Sequence, residues 1–330
     1  MNPAPRTGPV VTFGETMLLL TGRDTGAVPD LDHMHVDTGG AESNVAIGLV
    51  RAGVPTTWIG RVGTDPAGDR VARDVRREGV DVVAVPDPDR STGIMMKERL
   101  SDGRTRVTYH RRGSAGSALR PSDLPPGVVE GAALLHVTGI TLALSDEARA
   151  TVVAALDRAD AAGVPVSFDV NHRPKLIDPD TAREHYRAVA RRSSIVFAGD
   201  DEARLVLGSA GDEGDDEVLA HGLAALARGR AVVKLGSRGA VASVDGEFLR
   251  RPATPVRVVD PVGAGDAFVA GWLAASLAGA TTAEALDRAA DAGALACTVE
   301  SDWRRPDPAA LHDPTVPTDV DHTVHDRVDR

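Results

Sequence analysis

The sequence predicts an α/β fold, a mostly parallel central sheet flanked by helices with a small β-sheet beside it. Three observations predict it. Short apolar runs alternate with helix-like segments along most of the 330 residues, the pattern of a parallel sheet covered on both faces. That alternation breaks at 92–110, where "TGIMMKERL", "SDGR" and "TRVTYHR" read as a β-hairpin turning near Asp102 and Gly103. Hydrophobic residues make up 42% of the chain but aromatics only 3%, so the core must be built mainly from Val, Leu, Ala and Ile.

The elements follow in order. Residues 1–8 are Pro-rich and are expected to be loose. "VVTFG" is a short apolar strand. The stretch from "TMLLLTG" to "HMHVDTG" (16–39) is rich in strand formers; with 92–112 it would form a small sheet over an active site, although the hairpin alone reads equally as a plain sheet edge. "SNVAIGLVRAG" is a helix ending at Gly53, "TTWIG" a strand, and "PAGDRVARDVRREG" a helix ending at Gly79. Between the last two, Gly60, Gly63, Asp65 and Gly68 are expected in a loop. The strand "ALLHVTG", the helix "SDEARATVVAALDRADAAG" and the strands "PVSFDV" and "SSIVFAG" continue the alternation. The helix "DDEARLVLG", a helix around 215–228 and the strand "RAVVKLG" follow, and "AFVAGWLAASLAG" is the next helix-like run. The end, 313–330, mixes Pro, Asp and His without periodicity and is expected to be disordered, with His312, His322 and His325 solvated rather than metal ligands. One domain spanning 9–312 accounts for the rest.

Composition excludes several classes. A net charge of −11 without a basic patch argues against nucleic acid and anionic membranes as partners. The lone Cys297 rules out an internal disulfide or a multi-cysteine zinc site and reads as a small buried residue. The N-terminus lacks a signal-peptide run and no stretch has 18 apolar residues, so a soluble, cytoplasmic protein is expected.

The chemistry concentrates at the carboxyl ends of the strands, where α/β sheets bind ligands. "DPVGAGDAF" (260–268) places Gly263, Ala264, Gly265 and Asp266 at a helix start. Free N–H groups there attract an anion, and glycines let the backbone approach it closely. Asp266 beside such a hole is placed to accept a hydroxyl proton while the N–H groups stabilise a transferring phosphoryl group. A structural N-cap is the plainer alternative. The chain has no G-x-x-x-x-G-K-[ST] motif, and Phe268 stands where a dinucleotide fingerprint needs its third glycine. Upstream, in "TGGAESNVAIGLVRAGVPTTWIGRVGTDPAGDRV", Gly39 and Gly40 precede a helix whose first turn carries Asn44, an amide suited to a polyol hydroxyl.

These two stretches, in this order and with this βα pattern between them, resemble the signatures of the ribokinase-like (phosphofructokinase-B) carbohydrate kinases, over roughly 9–312. The resemblance implies phosphorylation of a sugar hydroxyl by ATP with Mg²⁺, a monovalent cation being a further candidate, under a small β-sheet lid. It implies Asp266 as catalytic base, Gly263, Ala264 and Gly265 as the anion hole, and a homo-oligomer joined through lid strands. "VKLGSRGA" is similar to the nucleotide-binding segment, which places Lys234, Gly236, Ser237 and Gly239 near ATP, together with Asn171 and Gly199. In "GDDE", Glu202 matches the residue that orders magnesium, while Gly199 replaces the family's usual Asn; Ala290 likewise stands where an Asn is common.

Three segments are similar to those of 2-keto-3-deoxygluconate kinases: "TYHRRGSAGSAL" with Tyr109 and Arg111, "DVNHRPKL" with Arg173, and "VESDW" with Asp302. Arginine suits a sugar carboxylate because its planar fork pairs bidentately and keeps its charge when desolvated. The expectation is a sugar-acid kinase, with Gly39, Gly40, Asn44, Tyr109, Arg111, Arg173 and Asp302 around the sugar. The alternatives are a neutral-sugar kinase such as a fructokinase, a non-catalytic sugar sensor on the same fold, and a dinucleotide-binding oxidoreductase.

Overall fold

The computed structural model describes residues 6–22, 24–100, 105–208, 216–300, 303, 307–312 and 328–329. The chain opens with β1 (Val10–Phe13), whose four residues are all buried, as a central parallel strand requires. Next come β2 (Met17–Gly22) and β3 (Met34–Gly39), an antiparallel pair, before helix α1 (Ala41–Arg51). Strand β4 (Thr56–Gly63), helix α2 (Pro66–Arg77) and strand β5 (Asp81–Asp87) return to the main sheet. A second excursion, β6 (Ile94–Arg99) and β7 (Thr105–His110), forms the expected hairpin, whose turn at Asp102 and Gly103 lies outside the described residues. Then follow β8 (Leu134–Thr138), α3 (Gly139–Leu144), α4 (Asp146–Ala162), β9 (Val166–Asp169), α5 (Pro179–Ala190), β10 (Ile195–Gly199) and α6 (Asp200–Leu207). The last third adds α7 (Asp216–Leu226), β11 (Arg230–Lys234), β12 (Ala240–Val244), β13 (Glu247–Arg251), α8 (Ala264–Leu277) and α9 (Thr282–Ala296). A two-residue strand, β14 (Val328–Asp329), closes the description.

The large sheet has nine strands in the order β13-β12-β11-β10-β9-β8-β1-β4-β5, parallel from β11 through β5, with β12 and β13 antiparallel at one edge. From β1 the chain proceeds to β4 on one side and later to β8 on the other, so the order reverses between β1 and β8 and opens a crevice at their carboxyl ends. The small sheet, β14-β7-β6-β2-β3, joins the two excursions through a parallel β2–β6 pairing in which Leu18 faces Ile94. No helix among the described residues is long and apolar enough to cross a membrane.

A cluster around Trp58 packs α1 and α2 on β4, and two larger ones hold other helices on the sheet. One unites Val11, Phe13, Leu135 and Phe168 with α4 and α5; the other packs α8 and α9 on Phe197 and Val232. Trp272 of α8 meets Phe197 edge-on at 6.0 Å. With Phe268, Val269, Trp272 and Leu273 all buried, at about 1.5–3 kcal/mol each, α8 is anchored and its N-terminus is fixed in the crevice. Strands β5, β12 and β13 and helices α3 and α5 were not among the sequence expectations.

Three expectations are corrected. Gly60, Gly63 and Gly68 are not loop residues: the first two lie within β4, where Gly60 leaves room for the buried Trp58 indole, and Gly68 lies in the first turn of α2. Residues 6–8, expected loose, are held because Arg6 donates to the carbonyls of Ala132, Ala162 and Glu130 at 2.7–3.0 Å. Most of the tail 313–330 lies outside the described residues, yet Val328 and Asp329 pair with β7.

Candidate active site

Two helices meet at the crevice because small residues let them. A Cβ added to Gly48 of α1 would lie 2.6 Å from the Cβ of Ala270 on α8. One turn back from this contact stand Asn44 and Asp266, and Asn44 Nδ2 donates to Asp266 Oδ2 at 2.8 Å. Asn171, held in the left-handed region at φ +40°, donates its Nδ2 to Asp266 Oδ1 at 3.4 Å. Two amides thus orient one carboxylate. Among the described residues Asn44 Oδ1 is buried without a partner, and a ligand hydroxyl would satisfy it.

The loop before α8 is shaped by Gly263, whose φ of +85° only glycine adopts freely. The first-turn N–H groups of the helix lack intrahelical acceptors, and Gly263 and Gly265 bring that turn to the wall of the cleft. The cleft, about 280 Å³, is lined there by Val262, Gly263, Gly265 and Asp266. Ala264 starts the helix but does not line it.

Opposite the loop, Lys234 at the end of β11 donates to both oxygens of Asp169 at the end of β9, at 2.8 and 2.9 Å. Burial pushes the Asp169 carboxyl up to about 6, against the pull of Lys234. Burial would lower Lys234, but Asp169, Glu202 and Asp266 together hold it above its usual value. Glu202 is fixed by backbone: Gly199 N–H donates to Oε2 and His172 N–H to Oε1, each at 2.7 Å. A Cβ added to Gly199 would meet Glu202 no closer than 3.5 Å, so there is room for the first side-chain atom where the family carries Asn. Ala290 is buried in the cluster under α8.

The small sheet overhangs the same cleft with Met17, Met95, Val107 and Tyr109. Tyr109 lies under the Arg111 guanidinium, 5.6 Å from it. Arg111 turns inward: its Nε donates to Glu15 Oε2 at 2.7 Å, and Ser114 Oγ donates to Glu15 Oε1. Its charge is therefore balanced inside the protein. Arg173 lines the cleft and donates to the His172 carbonyl at 3.0 Å, and among the described residues no carboxylate lies within ion-pair distance of it. A second cavity of about 450 Å³ adjoins the first and shares Tyr109, Arg111 and Arg173 with it.

The structure therefore gathers most residues singled out from sequence. Gly39, Gly40, Asn44, Asn171, Gly199, Glu202, Lys234 and Gly236 all line the cleft with Tyr109, Arg111, Arg173 and the 263–266 loop. Ser237 sits on the turn just beyond Gly236, away from the lining. Gly239 does not line the cleft, and its φ of +95° and its approach to Arg251 O, 2.1 Å from an added Cβ, serve the turn into β12. Asp302 lies outside the described residues; its neighbour Trp303 donates to Thr38 O, beside Gly39. Glu15 and Ile140 were missed. An acidic residue just after an apolar strand, as in "VVTFGE", is the signal for Glu15. The Asp65 motif is also structural: it caps α2 by accepting from Gly68 N–H and holds Thr92 N–H, each at 2.8 Å, at the root of β6.

The profile of the family described as pfkB family carbohydrate kinase matches residues 8–307. The chain is 34% identical over 298 residues, 90% of its length and 93% of the relative's, to a 2-dehydro-3-deoxygalactonokinase of Haloferax volcanii. It is 34% identical over 86% of its length, and 88% of the relative's, to a 2-dehydro-3-deoxygluconokinase of Bacillus subtilis. A Klebsiella pneumoniae fructokinase is 36% identical over 79% of this chain and 86% of its own. Among solved structures, a 2-dehydro-3-deoxygluconokinase of Thermotoga maritima superposes with a TM-score of 0.83, at 26% identity, over 93% of this chain and 98% of its own. A double mutant of a Vibrio cholerae fructokinase, with fructose, ADP and potassium ion bound, does so with a TM-score of 0.79 and 28% identity over 94% and 99%.

Proposed function

The chain belongs to the pfkB family of carbohydrate kinases, and from that premise we propose that it moves the γ-phosphoryl group of ATP to a sugar-acid hydroxyl, 2-keto-3-deoxygluconate being the foremost substrate. In this reading the terminal hydroxyl of the sugar lies against Asp266, which accepts its proton. The hydroxyl oxygen then attacks the γ-phosphorus in line as the bond to the β-phosphate oxygen breaks. Asn44 and Asn171 hold the carboxylate in position, so the proton acceptor needs no reorganisation as the bond forms. First-turn N–H groups of α8 take up the negative charge of the transferring group.

ATP would enter from the side of Lys234 and Gly236. Glu202 and Asp266 both line the cleft, and magnesium is a hard cation that prefers such oxygen ligands. Glu202 is the residue we assign to it and to its waters; when bound, the metal neutralises charge on the phosphates. The protein would work in the cytoplasm, and a second copy would pair through the strands of the small sheet, where Val36 of β3 is exposed.

One observation carries the sugar-acid assignment. Arg173 faces the cleft with no protein carboxylate at ion-pair distance among the described residues, so its charge is available to a substrate. One observation favours the fructokinase reading instead: Arg111, the second candidate, already balances Glu15. The test is ADP release with 2-keto-3-deoxygluconate, 2-keto-3-deoxygalactonate, fructose, ribose and adenosine, each in potassium and in tetramethylammonium buffer. The assignment expects the sugar acids to lead in kcat/KM. Fructose leading would overturn it, and the cation pair reads the monovalent-ion dependence directly.

A further inference from the structure

The small sheet reaches the phosphate loop through a buried ion pair that neither motif reading used. Lys97 stands in the middle of β6, in register with Thr21 of β2 and Val107 of β7, and its side chain is 0% exposed. Its Nζ lies 2.7 Å from Oδ2 of Asp260, a residue 163 positions away. Asp260 opens the loop that ends at Asp266, and its Oδ1 accepts from Val262 N–H at 3.1 Å. The N–H groups of Val259 and Asp260 both donate to Cys297 O, at 2.7 and 3.1 Å, which ties the loop to the end of α9.

Burying two charges is a poor route to stability, because an apolar pair of similar volume commonly serves as well. An apolar pair cannot orient a carboxylate. Here one oxygen of that carboxylate is held by the ammonium and the other positions a backbone N–H next to Gly263. We infer that Lys97 is a positioning residue for phosphoryl transfer. Its ammonium fixes Asp260, Asp260 fixes the turn at Val262, and the turn presents the first-turn N–H groups of α8 to the phosphate. The small sheet thus sets the geometry of the anion hole as well as covering the sugar. This inference rests on the 263–266 loop being the phosphate site.

The test compares Lys97→Met, Lys97→Arg, Asp260→Asn and the double variant Lys97→Met/Asp260→Asn. For each, kcat, both KM values, Tm and hydrogen exchange of residues 259–266 are measured. Lys97→Met is expected to lower kcat about 10- to 100-fold with each KM within about threefold, and to speed exchange in the loop. Lys97→Arg should keep more turnover than Lys97→Met. The double variant removes the unpaired buried charge, so its Tm should recover while its kcat stays low. A folded Lys97→Met with kcat within about twofold of wild type would overturn the inference. So would a double variant that regains kcat along with Tm, since the pair would then be structural only. If Lys97→Met fails to fold, the double variant decides. An inactive wild type, or an active Asp266→Asn, overturns the phosphate-site reading; active wild type, inactive Asp266→Asn and indifferent Lys97 variants overturn the positioning role alone.

Discussion

Arg173→Ala and Arg111→Ala should fail in different ways, although both residues were singled out for one reason. Arg173 has no carboxylate partner at ion-pair distance among the described residues, so its truncation leaves no protein charge stranded. What is lost is a charge-assisted contact to a desolvated substrate carboxylate, worth about 2–4 kcal/mol. That converts to roughly 30- to 1000-fold in kcat/KM for a sugar acid, with Tm nearly unchanged. Arg111→Ala strands Glu15, whose side chain is 1% exposed, and breaking a buried pair this way costs about 3–5 kcal/mol of folding stability. Its signature is a clear fall in Tm together with loss of activity toward every sugar. The assay is coupled ADP release with a sugar acid and a neutral sugar, beside thermal unfolding of each variant. Equal loss for charged and neutral sugars in Arg173→Ala would refute the carboxylate role. An unchanged Tm in Arg111→Ala would refute the view that its charge is spent on Glu15.

Further outcomes follow from the same geometry. Asp266→Asn should cut turnover by ~10²-fold or more with nucleotide binding retained, measured by calorimetry beside kinetics; near-normal turnover in the folded variant would remove it as the base. Gly48→Val should push α1 from α8, lengthen the Asn44–Asp266 bond and lower kcat at least about tenfold; unaffected kcat would show that this contact does not set the site. Gly199→Asn should fold with Tm within about 2 °C of wild type, because an added Cβ has room and Asn is a good N-cap; a large fall would show that the rest of the side chain does not fit. Burial raises Asp87, but hydrogen bonds from Arg61 and from the N–H groups of Asp89 and Arg90 outweigh it and hold the carboxyl down at about 2, from an ordinary 3.8. The depressed value means its contribution of about 2 kcal/mol is fully present above about pH 4 and is lost as pH falls toward 2. Asp87→Asn should therefore flatten acid unfolding in that range, and an unchanged acid limb would argue against it.

The motifs that showed in the sequence share a property: each is a short run whose residues act together. Gly263 to Asp266 and Gly39 to Asn44 are such runs, and the structure brings them to one cleft. Long-range pairings were illegible. Nothing in "GIMMKERL" marks Lys97 as the partner of Asp260, because only the pairing of β2 with β6 carries the small sheet over the loop. Glu15 and Arg111 likewise meet across 96 positions, and without that distance Arg111 looks free to bind a ligand. Antiparallel β12 and β13 were missed because their partly polar, glycine-bounded runs lack the continuous apolar character of the parallel strands.

The small sheet is fastened to the main domain at its roots. Asp65 grips Thr92 where β6 begins, and Glu15 grips Arg111 and Ser114 where β7 ends. The fastening runs past those roots: Lys97 in the middle of β6 holds Asp260, and Arg99 at its far end pairs with Glu300. The first of these pairs is buried and the second partly exposed, so added salt would loosen the Arg99 end while leaving the Lys97 contact almost untouched.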